Sequence, residues 1–496
     1  MIKKRVSELI TVQEIKKWAI GDVVTITAGT GAGKSYFIKN VLYAFAKANN
    51  KKILYLIHRD NCDNQFIKEL ERDHKTDIIK ILTYQSLEYL YINHNKTFDF
   101  SMYEYVICDE YHYFLNDSTF NNTTDVSFNM IMNNTSSTKI FMSATSNKIK
   151  RYIKEYKNIN TVDYELPISF DFIEDLNFYN SDKHLIKIID NAIQNKEKVI
   201  VFLNNIESAL NLYEIYRDHA LFNCSKSNKK YYRHVNSKKI DRMLENEKFD
   251  EDILITTSCF DAGVNIIDTY VKHIICDIKD VDCLIQCVGR KRIQNNNDKI
   301  HLYIKDINNN VLGQLKGNLN KKIEVAECLI NYGVEALITR YGRKDYFNIV
   351  YDDVELFNHT KKVNELMYFK CITDLQDIEY MLGMGKYGYR KFIANKLKIN
   401  NYKTLVNEEI KTKDELENYL NSILGQVMLQ VKDRKELIEK IDVRSNGKQL
   451  KKINNLNGAL EERNIPYRII EFATSKTING KQKRYPNAWK VQKLIY

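Results

Sequence analysis

Proline is nearly absent: Pro167, Pro466 and Pro486 are the only three in 496 residues. That excludes a proline-rich linker or a collagen-like repeat. Long apolar runs are missing too. No stretch approaches the roughly 20 residues of a membrane-spanning helix. The opening MIKKRVSELI lacks the apolar segment and small-residue cleavage site of a secretory leader. Neither membrane insertion nor secretion is expected. The nine cysteines are odd in number and too sparse for a disulfide framework. Cys108 and Cys276 fall in strand-like runs, as buried thiols do. Cys283 and Cys287 lie four apart with no matching His or Cys pair, so they do not read as a zinc site. This usage suits a reducing cytoplasm. Hydrophobic residues make up 44% of the chain, enough for a packed core. At roughly 150 residues per domain, about three domains are expected.

Acidic residues are fewer than basic ones, 64 against 75, for a net charge of +11. The deficit is local. Residues 381–496 hold 24 basic and 12 acidic side chains, leaving 51 and 52 for residues 1–380. A near-neutral body thus carries a basic tail, an asymmetry that points to a polyanionic partner, usually nucleic acid.

Through residue 310, short β-rich runs alternate with amphipathic helical stretches. VVTITA (23–28), KILYLIH (52–58), DIIKILTY (77–84), YEYVICD (103–109) and KIFMSAT (139–145) read as buried parallel strands, with a helix over Ser35–Lys47. KVIVFL (198–203), DILITT (252–257), VKHIICD (271–277) and KIHLYIKD (299–306) read as a second parallel sheet. The boundary is placed at 165/166. The Asn/Ser/Thr-rich stretch 116–137 reads as a partly ordered surface segment. Residues 311–440 read as a mainly helical accessory region and 441–496 as a separate basic domain.

The first strand runs into Ala28-Gly29-Thr30-Gly31-Ala32-Gly33-Lys34-Ser35 and then a helix. Glycines are needed where backbone N–H groups close around phosphate oxygens without Cβ clashes. The helix N-terminus adds a positive dipole end. In such a loop Lys34 reaches the β- and γ-phosphates and Ser35 ligates Mg²⁺. The strict pattern has glycine where Ala28 stands. Asp109 and Glu110 close an apolar strand, and a parallel neighbour of the first strand would aim Asp109 at the metal beside Ser35. Glu110 would then orient or deprotonate the attacking water.

With these motifs the sequence resembles superfamily 2 helicases of the DExH type. AGTGAGKS, DEYH (109–112) and SAT (143–145) match the family's first domain in order. IVFLNNIESA (200–209), TTSCFDAGVNI (256–266) and QCVGRKR (286–292) match its second. The resemblance covers roughly residues 15–310 and implies an α/β fold of two tandem RecA-like parallel-sheet domains, with ATP and Mg²⁺ as cofactors. It implies that His112 couples the ATP site to the nucleic-acid track, and that Ser143 and Thr145 link hydrolysis to domain movement. Arg59, Thr83 and Gln85 would contact the nucleic-acid backbone. Asp261 and Gly263 would face the nucleotide across the cleft. Gln286 and Arg290 would complete the ATP site, with Arg290 as the arginine finger. Family members commonly read QxxGRxxR, but Ile293 occupies the last position here, so the second finger is Arg292 or none. The QxxGRxR form resembles phage, viral and origin-binding relatives. Abundant Ile, Asn, Lys and Tyr suggest an AT-rich genome, consistent with a phage, plasmid or low-GC bacterial source. Gln13 is the nearby candidate for a base-contacting glutamine and reads as a chance residue.

In the tail, NGKQLKKINNLNGALEERN reads as helix. PYRIIEFATSKTI and KQKRYPNAWKVQKLIY read as strands joined at Asn479-Gly480. A helix followed by a basic hairpin resembles a winged helix-turn-helix domain. Lys476, Lys481, Lys483, Arg484 and Lys490 would crowd the hairpin, with Tyr485 and Trp489 as aromatic faces for packing or for stacking on bases. The leading expectation is an ATP-dependent helicase or translocase, with DNA favoured over RNA, acting in replication, recombination or repair. A sequence-specific replication initiator and the motor subunit of a restriction or defence complex are the alternatives. The last would require partner subunits, since no nuclease or methyltransferase motif is recognised.

Overall fold

A computed structural model describes residues 4–58, 60–94, 97–257, 264–295, 297–342, 346–352, 360–405, 413–445, 448–463, 465–478 and 481–494. Backbone contacts divide the chain into two compact units. One comprises residues 1–176 and 192–402, the other residues 177–191 and 403–496.

The first unit holds two parallel-sheet α/β domains. Strands β1 (Val23–Thr27), β2 (Ile53–Ile57), β3 (Ile79–Thr83), β4 (Tyr105–Asp109), β5 (Thr138–Ser143) and β6 (Val162–Glu165) form one sheet in the order β3-β2-β4-β5-β1-β6. Every described pair in it is parallel. Alternate side chains divide between its faces, as the strand period of two requires. Val24, Ile26, Tyr55, Ile107 and Met142 pack on one side with Phe37 and Leu42. Leu54, Leu56, Val106, Cys108 and Phe141 pack on the other with Phe128 and Tyr152. Each fully buried side chain of this size is worth about 1.5–3 kcal/mol, so apolar cover on both faces sustains the sheet.

The second domain contains β8 (Lys198–Leu203), β9 (Ala220–Phe222), β10 (Ile253–Thr256), β11 (Val271–Asp277) and β12 (Ile300–Lys305), in the order β12-β11-β8-β10-β9, with residues 173–176 of β7 (Ile173–Tyr179) at its β12 edge, the rest of β7 being part of the second unit. The nine strands read from the sequence are all present within one or two residues at each end. Strands β6, β7 and β9 were not read, being short or interrupted by polar residues. Two helical segments, 309–332 and 334–341, broken at Gly333 with φ +79°, then lead to a short hairpin, β13 (Val350–Asp352) with β14 (Lys361–Val363), and to the Glu365–Gly383 and Gly388–Lys396 helices. No helix among the described residues is long and apolar enough to cross a membrane.

The stretch 116–137 corrects the sequence reading. It is ordered and built into the core through the Thr124–Asn133 helix. Phe128 and Ile131 anchor it. Two of its polar side chains share a buried partner: Ser127 Oγ and Asn121 Nδ2 each donate to Glu88, both at 2.7 Å. A buried carboxylate from another helix thus satisfies side chains that looked like surface.

The second unit begins at Lys403, earlier than the boundary at 441, and takes in residues 177–191. Within it β15 (Lys403–Thr404) pairs with Asn177 and Phe178 of β7. Its core joins Leu416 and Leu420 to Leu437, Leu456, Tyr467, Trp489 and Val491. After the two-residue strands β16 (Arg444–Ser445) and β17 (Lys448–Gln449) comes the Ile453–Glu462 helix. A long antiparallel hairpin follows, β18 (Tyr467–Ile478) with β19 (Lys481–Lys493). Trp489 is 5% exposed, so of packing and stacking on bases, the two roles expected for it, it takes the first. Its indole lies 4.3 Å from the Arg434 guanidinium and donates to Glu471. Period-two alternation on β19 turns it, with Val491, to the core side. Tyr485 is buried as well, while Lys476, Lys483 and Arg484 are exposed. The turn at Asn479-Gly480 and the side chain of Lys481 lie outside the described residues.

Two consequences can be measured. Burial raises the Asp125 carboxyl to about 7, against the hydrogen bond from Tyr351. The folded chain therefore keeps a proton that the unfolded chain releases near pH ~4. Stability from neutral Asp125 is full below that pH and is lost as pH rises through about 7. Asp125→Asn should melt higher than the parent at about pH 8 and match it near pH ~4. A difference that does not shrink in acid would contradict this. Trp489→Ala should cost the second unit about 3–5 kcal/mol in denaturant unfolding followed by circular dichroism. A loss below about 1 kcal/mol would contradict its burial.

Candidate nucleotide-binding site

Strand β1 ends at Thr27, and the next residue, Ala28, is fully buried and donates its N–H to the Ser143 carbonyl at 3.0 Å. The loop then turns through Gly31 at φ +78° and Gly33 at φ +88°. A side chain would cost about 1–2 kcal/mol at each. Ala28 is not among the positive-φ residues, so alanine is tolerated where the strict pattern has glycine. The helix begins at Lys34, passes through a π-helical Phe37–Leu42 stretch and ends at Ala48. Lys34 is buried, and its ammonium donates to the Ala28 carbonyl at 2.9 Å, inside the curl of the loop. Gly29, Thr30 and Ala32 complete that curl, and Ser35 is exposed at the first helical turn. An N-terminal contact was not read from the sequence: Val6 donates its N–H to the Ala32 carbonyl at 2.9 Å.

The carboxylates stand where β4 ends, but β4 is not the neighbour of β1. Strand β5 lies between them, pairing Thr27 with Ser143 on one side and Asp109 with Met142 on the other. This corrects the expected strand adjacency and puts the SAT residues in the middle of the site. Asp109 accepts from the Tyr55 hydroxyl at 2.5 Å and from the Glu110 N–H at 3.0 Å. The Tyr84 hydroxyl donates to the Asp109 carbonyl at 2.8 Å. Glu110 has φ +46°, a turn that swings its side chain out of the strand direction. Its Oε2 lies 3.4 Å from Nδ1 of His112, which lies 2.9 Å from Ser143 Oγ. Ser143 Oγ also accepts from the Thr145 N–H at 3.1 Å.

Burial, and then the charge of Glu110, push Asp109 up to about 6. For Glu110 burial opposes ionisation, but Lys34, His112 and Arg290 outweigh it and hold the carboxyl below its ordinary range. The site therefore keeps Glu110 ionised beside a carboxylate that resists its own charge. A divalent cation held by Asp109 and Ser35 would relieve that repulsion. One carboxylate with one hydroxyl suits Mg²⁺, which takes its remaining ligands from phosphates and water. Among the described residues no group of three or more His, Cys, Asp or Glu converges as a metal site. Cys283 and Cys287 are buried.

The second domain contributes the Val281–Val288 helix, capped by Asp280, whose carboxylate accepts from the Cys283 N–H at 2.9 Å. Gln286 and Arg290 are each 1% exposed. Gln286 Nε2 donates to Thr145 Oγ1 at 2.7 Å, joining the two domains. Arg290 is bonded within its own domain, to Gln286 Oε1 at 3.0 Å, the Gln286 carbonyl at 3.2 Å and the Val264 carbonyl at 3.4 Å. Thr30 Oγ1 donates to the Gly289 carbonyl at 3.0 Å. A Cβ on Gly289 would stand 2.8 Å from that hydroxyl, so this close approach requires glycine. Arg292 is held through Nε by Asn265 at 2.7 Å. Its Nη1 is buried without a hydrogen-bond partner, 3.6 Å from where a Cβ on Gly31 would lie. Burial and the Arg290 charge lower Arg292 to about 10, so it stays cationic at neutral pH.

The structure thus brings together the loop, Asp109, Glu110, His112, Gln286, Arg290 and Arg292. Thr83 ends β3, where its hydroxyl is bonded to Ser86, and Gln85 is half-buried in the following helix. Arg59, Asp261 and Gly263 lie outside the described residues. Tyr55, Tyr84 and Asn265 were missed by sequence reasoning. Only Asn265 had a signal, as part of the fifth motif.

Fold and site define a phosphate-loop nucleotide-binding protein with two tandem parallel-sheet domains. Within that class, residues 11–148 match the family model described as "Type III restriction enzyme, res subunit". Solved structures with partial likeness include Dbp5 of S. cerevisiae bound to RNA and ADP BeF3, at 13% identity over 60% of this chain and 82% of that one, TM-score 0.42. Helicase Lhr of Mycobacterium smegmatis, bound to ssDNA and AMP-PNP, is 15% identical over 62% and 42%, TM-score 0.37. A fragment of an HsdR subunit of a type I restriction enzyme from Vibrio vulnificus is 17% identical over 59% and 61%, TM-score 0.38. No curated protein matches the chain.

Because Nη1 of Arg292 is unpaired and near the loop, Arg292→Ala should weaken triphosphate binding at least about tenfold more than diphosphate binding, the scale of a lost charged hydrogen bond. Fluorescent-nucleotide titration would show this. Equal losses for the two nucleotides would make Arg292 structural.

Proposed function

We propose that this chain is an ATP-driven nucleic-acid helicase or translocase, with DNA as the favoured track. The observation that carries the reading is the junction itself. Lys34, Glu110 and the glycine loop of one domain meet Gln286, Arg290 and Arg292 of the other, through the Thr30–Gly289 and Gln286–Thr145 contacts. ATP phosphates would be held by the loop N–H groups, and Lys34 would exchange its bond to the Ala28 carbonyl for one to phosphate. Glu110 would align a water and accept its proton as the water oxygen bonds to the γ-phosphorus. The bond from that phosphorus to the β-phosphate oxygen breaks, leaving ADP and phosphate. A magnesium ion held by Ser35 and Asp109 would neutralise phosphate charge. The cationic arginines would stabilise charge on the transferred group, a contribution typically worth 10³–10⁵ in rate.

His112 and Ser143 link Glu110 to the segment that bears Thr145, and Thr145 bonds Gln286 across the junction. Loss of the γ-phosphate would be felt along that chain as a change in domain contact. Arg59, Thr83 and Gln85 are proposed to grip the nucleic-acid backbone, with Asp261 and Gly263 on the nucleotide side of the second domain. Such contacts are sequence-blind. In the second unit the exposed Lys483 and Arg484, with Lys481, are proposed as a separate phosphate contact, and a role in replication, recombination or repair would follow from DNA binding. A motor subunit of a restriction or defence complex is the second reading, favoured by the description of the family matched over residues 11–148.

Lys34→Ala and Glu110→Gln should each abolish nucleic-acid-stimulated ATP hydrolysis. The panel is single-stranded, duplex and forked DNA and RNA, each tested on the parent and on a Lys483→Ala/Arg484→Ala variant. Truncation at 441 would divide the second unit's core, so point substitutions are used. Retained turnover in either site variant would overturn the motor reading. Stronger stimulation by RNA than by DNA would overturn the preferred track.

A further inference from the structure

Six charged side chains that hydrolysis does not use meet beside the domain junction. Lys148 lies on the Asn147–Arg151 helix of the first domain, three residues beyond Thr145. Its ammonium is 2.8 Å from Asp374, 2.8 Å from Asp377 and 3.5 Å from Asp282. Lys370 is 2.5 Å from Asp280 and 2.9 Å from Asp374. Asp374 bridges the lysines, one carboxylate oxygen to each. Asp280 and Asp282 sit at the head of the Val281–Val288 helix in the second domain, whereas Lys370, Asp374 and Asp377 share the Glu365–Gly383 helix.

That last helix is anchored unequally. Leu366 and Phe369 are part of the first domain's own core, with the Phe369 ring 5.0 Å from that of Tyr152. Towards the head of the 281–288 helix its contacts are ionic. Apolar burial of this kind is a lasting attachment. Charged pairs depend on geometry, and water replaces them once they separate. The carboxylate that Lys370 holds is also the helix cap, because Asp280 accepts from Cys283 N–H. Six residues further, at 1.5 Å per residue roughly 9 Å away, the same helix delivers Gln286 to Thr145, and Gln286 holds Arg290. Both ends of this helix therefore meet the segment 145–148: Gln286 bonds Thr145 and Asp282 pairs with Lys148.

We propose that this cluster is an ionic latch between the ATP-binding domains, fixing the 281–288 helix so that Gln286 and Arg290 face the phosphate loop, with Lys370 and Lys148 as positioning residues for hydrolysis. The inference rests on the reading of the junction as an ATP-hydrolysing site. The lysines touch neither nucleotide nor reacting atoms. They act by setting where the second domain's side chains stand, and misplacement of a reacting constellation lowers turnover more than ground-state binding.

The test uses the full chain and compares Lys370→Met, Lys370→Arg and Lys148→Met with the parent. Nucleotide-binding stoichiometry is measured first, so that turnover is expressed per competent site. Lys370→Met should lower kcat about tenfold with ATP KM changed less than about twofold, the signature of lost positioning. Lys370→Arg should recover most of the loss. If Lys370→Met fails to fold, Lys148→Met, whose side chain is more exposed, should show the same split. Unchanged kcat in the folded variants, or a loss that disappears when expressed per competent site, would overturn the latch. A parent protein that hydrolyses no ATP would instead overturn the functional reading on which it rests.

Discussion

Two carboxylates stand side by side in the chain, largely out of water, against one buried ammonium. Asp109 and Glu110 repel, and burial penalises both charges. The arrangement persists because Lys34, His112 and Arg290 approach Glu110 while Tyr55 and the backbone serve Asp109. Those partners come from both domains and from strands that must lie in one order. Strand β5 has to stand between β1 and β4 so that Ser143 can meet His112. The loop has to curl so that Lys34 stays inside it, and this requires Gly31 and Gly33 at positive φ. The electrostatics of one pair of acids thus constrains sheet order, loop conformation and domain contact together.

The same economy appears where the domains touch. Gly289 is needed because Thr30 stands against it. Gln286 divides its amide, nitrogen to Thr145 and oxygen to Arg290. Arg290 is consequently satisfied inside its own domain, and the guanidinium left with an unpaired nitrogen near the loop is that of Arg292. The departure from the usual sixth-motif spacing thus has a structural counterpart: Asn265 takes hold of Arg292 and orients it. The accessory helix adds a second point of contact: Leu366 and Phe369 enter the first domain's core, and charged pairs reach both domains, Asp374 and Asp377 to Lys148 and Lys370 to Asp280.

Much of this was legible in the residues. Parallel strands buried on both faces must be nearly continuous in Val, Ile and Leu, so nine of them could be read to within two residues. The glycine spacing before Lys34 is dictated by backbone conformation, and Asp109-Glu110 follows an apolar run because it ends a strand. Polar stretches were harder. Residues 116–137 looked like surface because their buried partner, Glu88, lies about thirty residues earlier. Trp489 looked available for stacking because composition does not say which side of a basic hairpin faces a core. The basic excess of the tail, first noticed as charge alone, proved to be divided: seven of its twelve net charges lie in the unit that begins at Lys403 and draws in residues 177–191, and five in residues 381–402 of the first unit.

The sequence by itself determined the local chemistry: the loop that must be glycine-rich, the acids at a strand end, the arginines after Gly289 and the alternation that builds two parallel sheets. Each is set by a residue's own backbone or side-chain properties and its near neighbours. Only the tertiary structure decided strand order, the placement of Ser143 between the nucleotide motifs, which arginine reaches the loop, and the meeting of Lys148, Asp280 and Lys370. These depend on contacts between segments distant in the chain, from about thirty to more than two hundred residues apart. Charge and hydrogen bonding there are governed by distances of a few ångströms, which residue order does not specify.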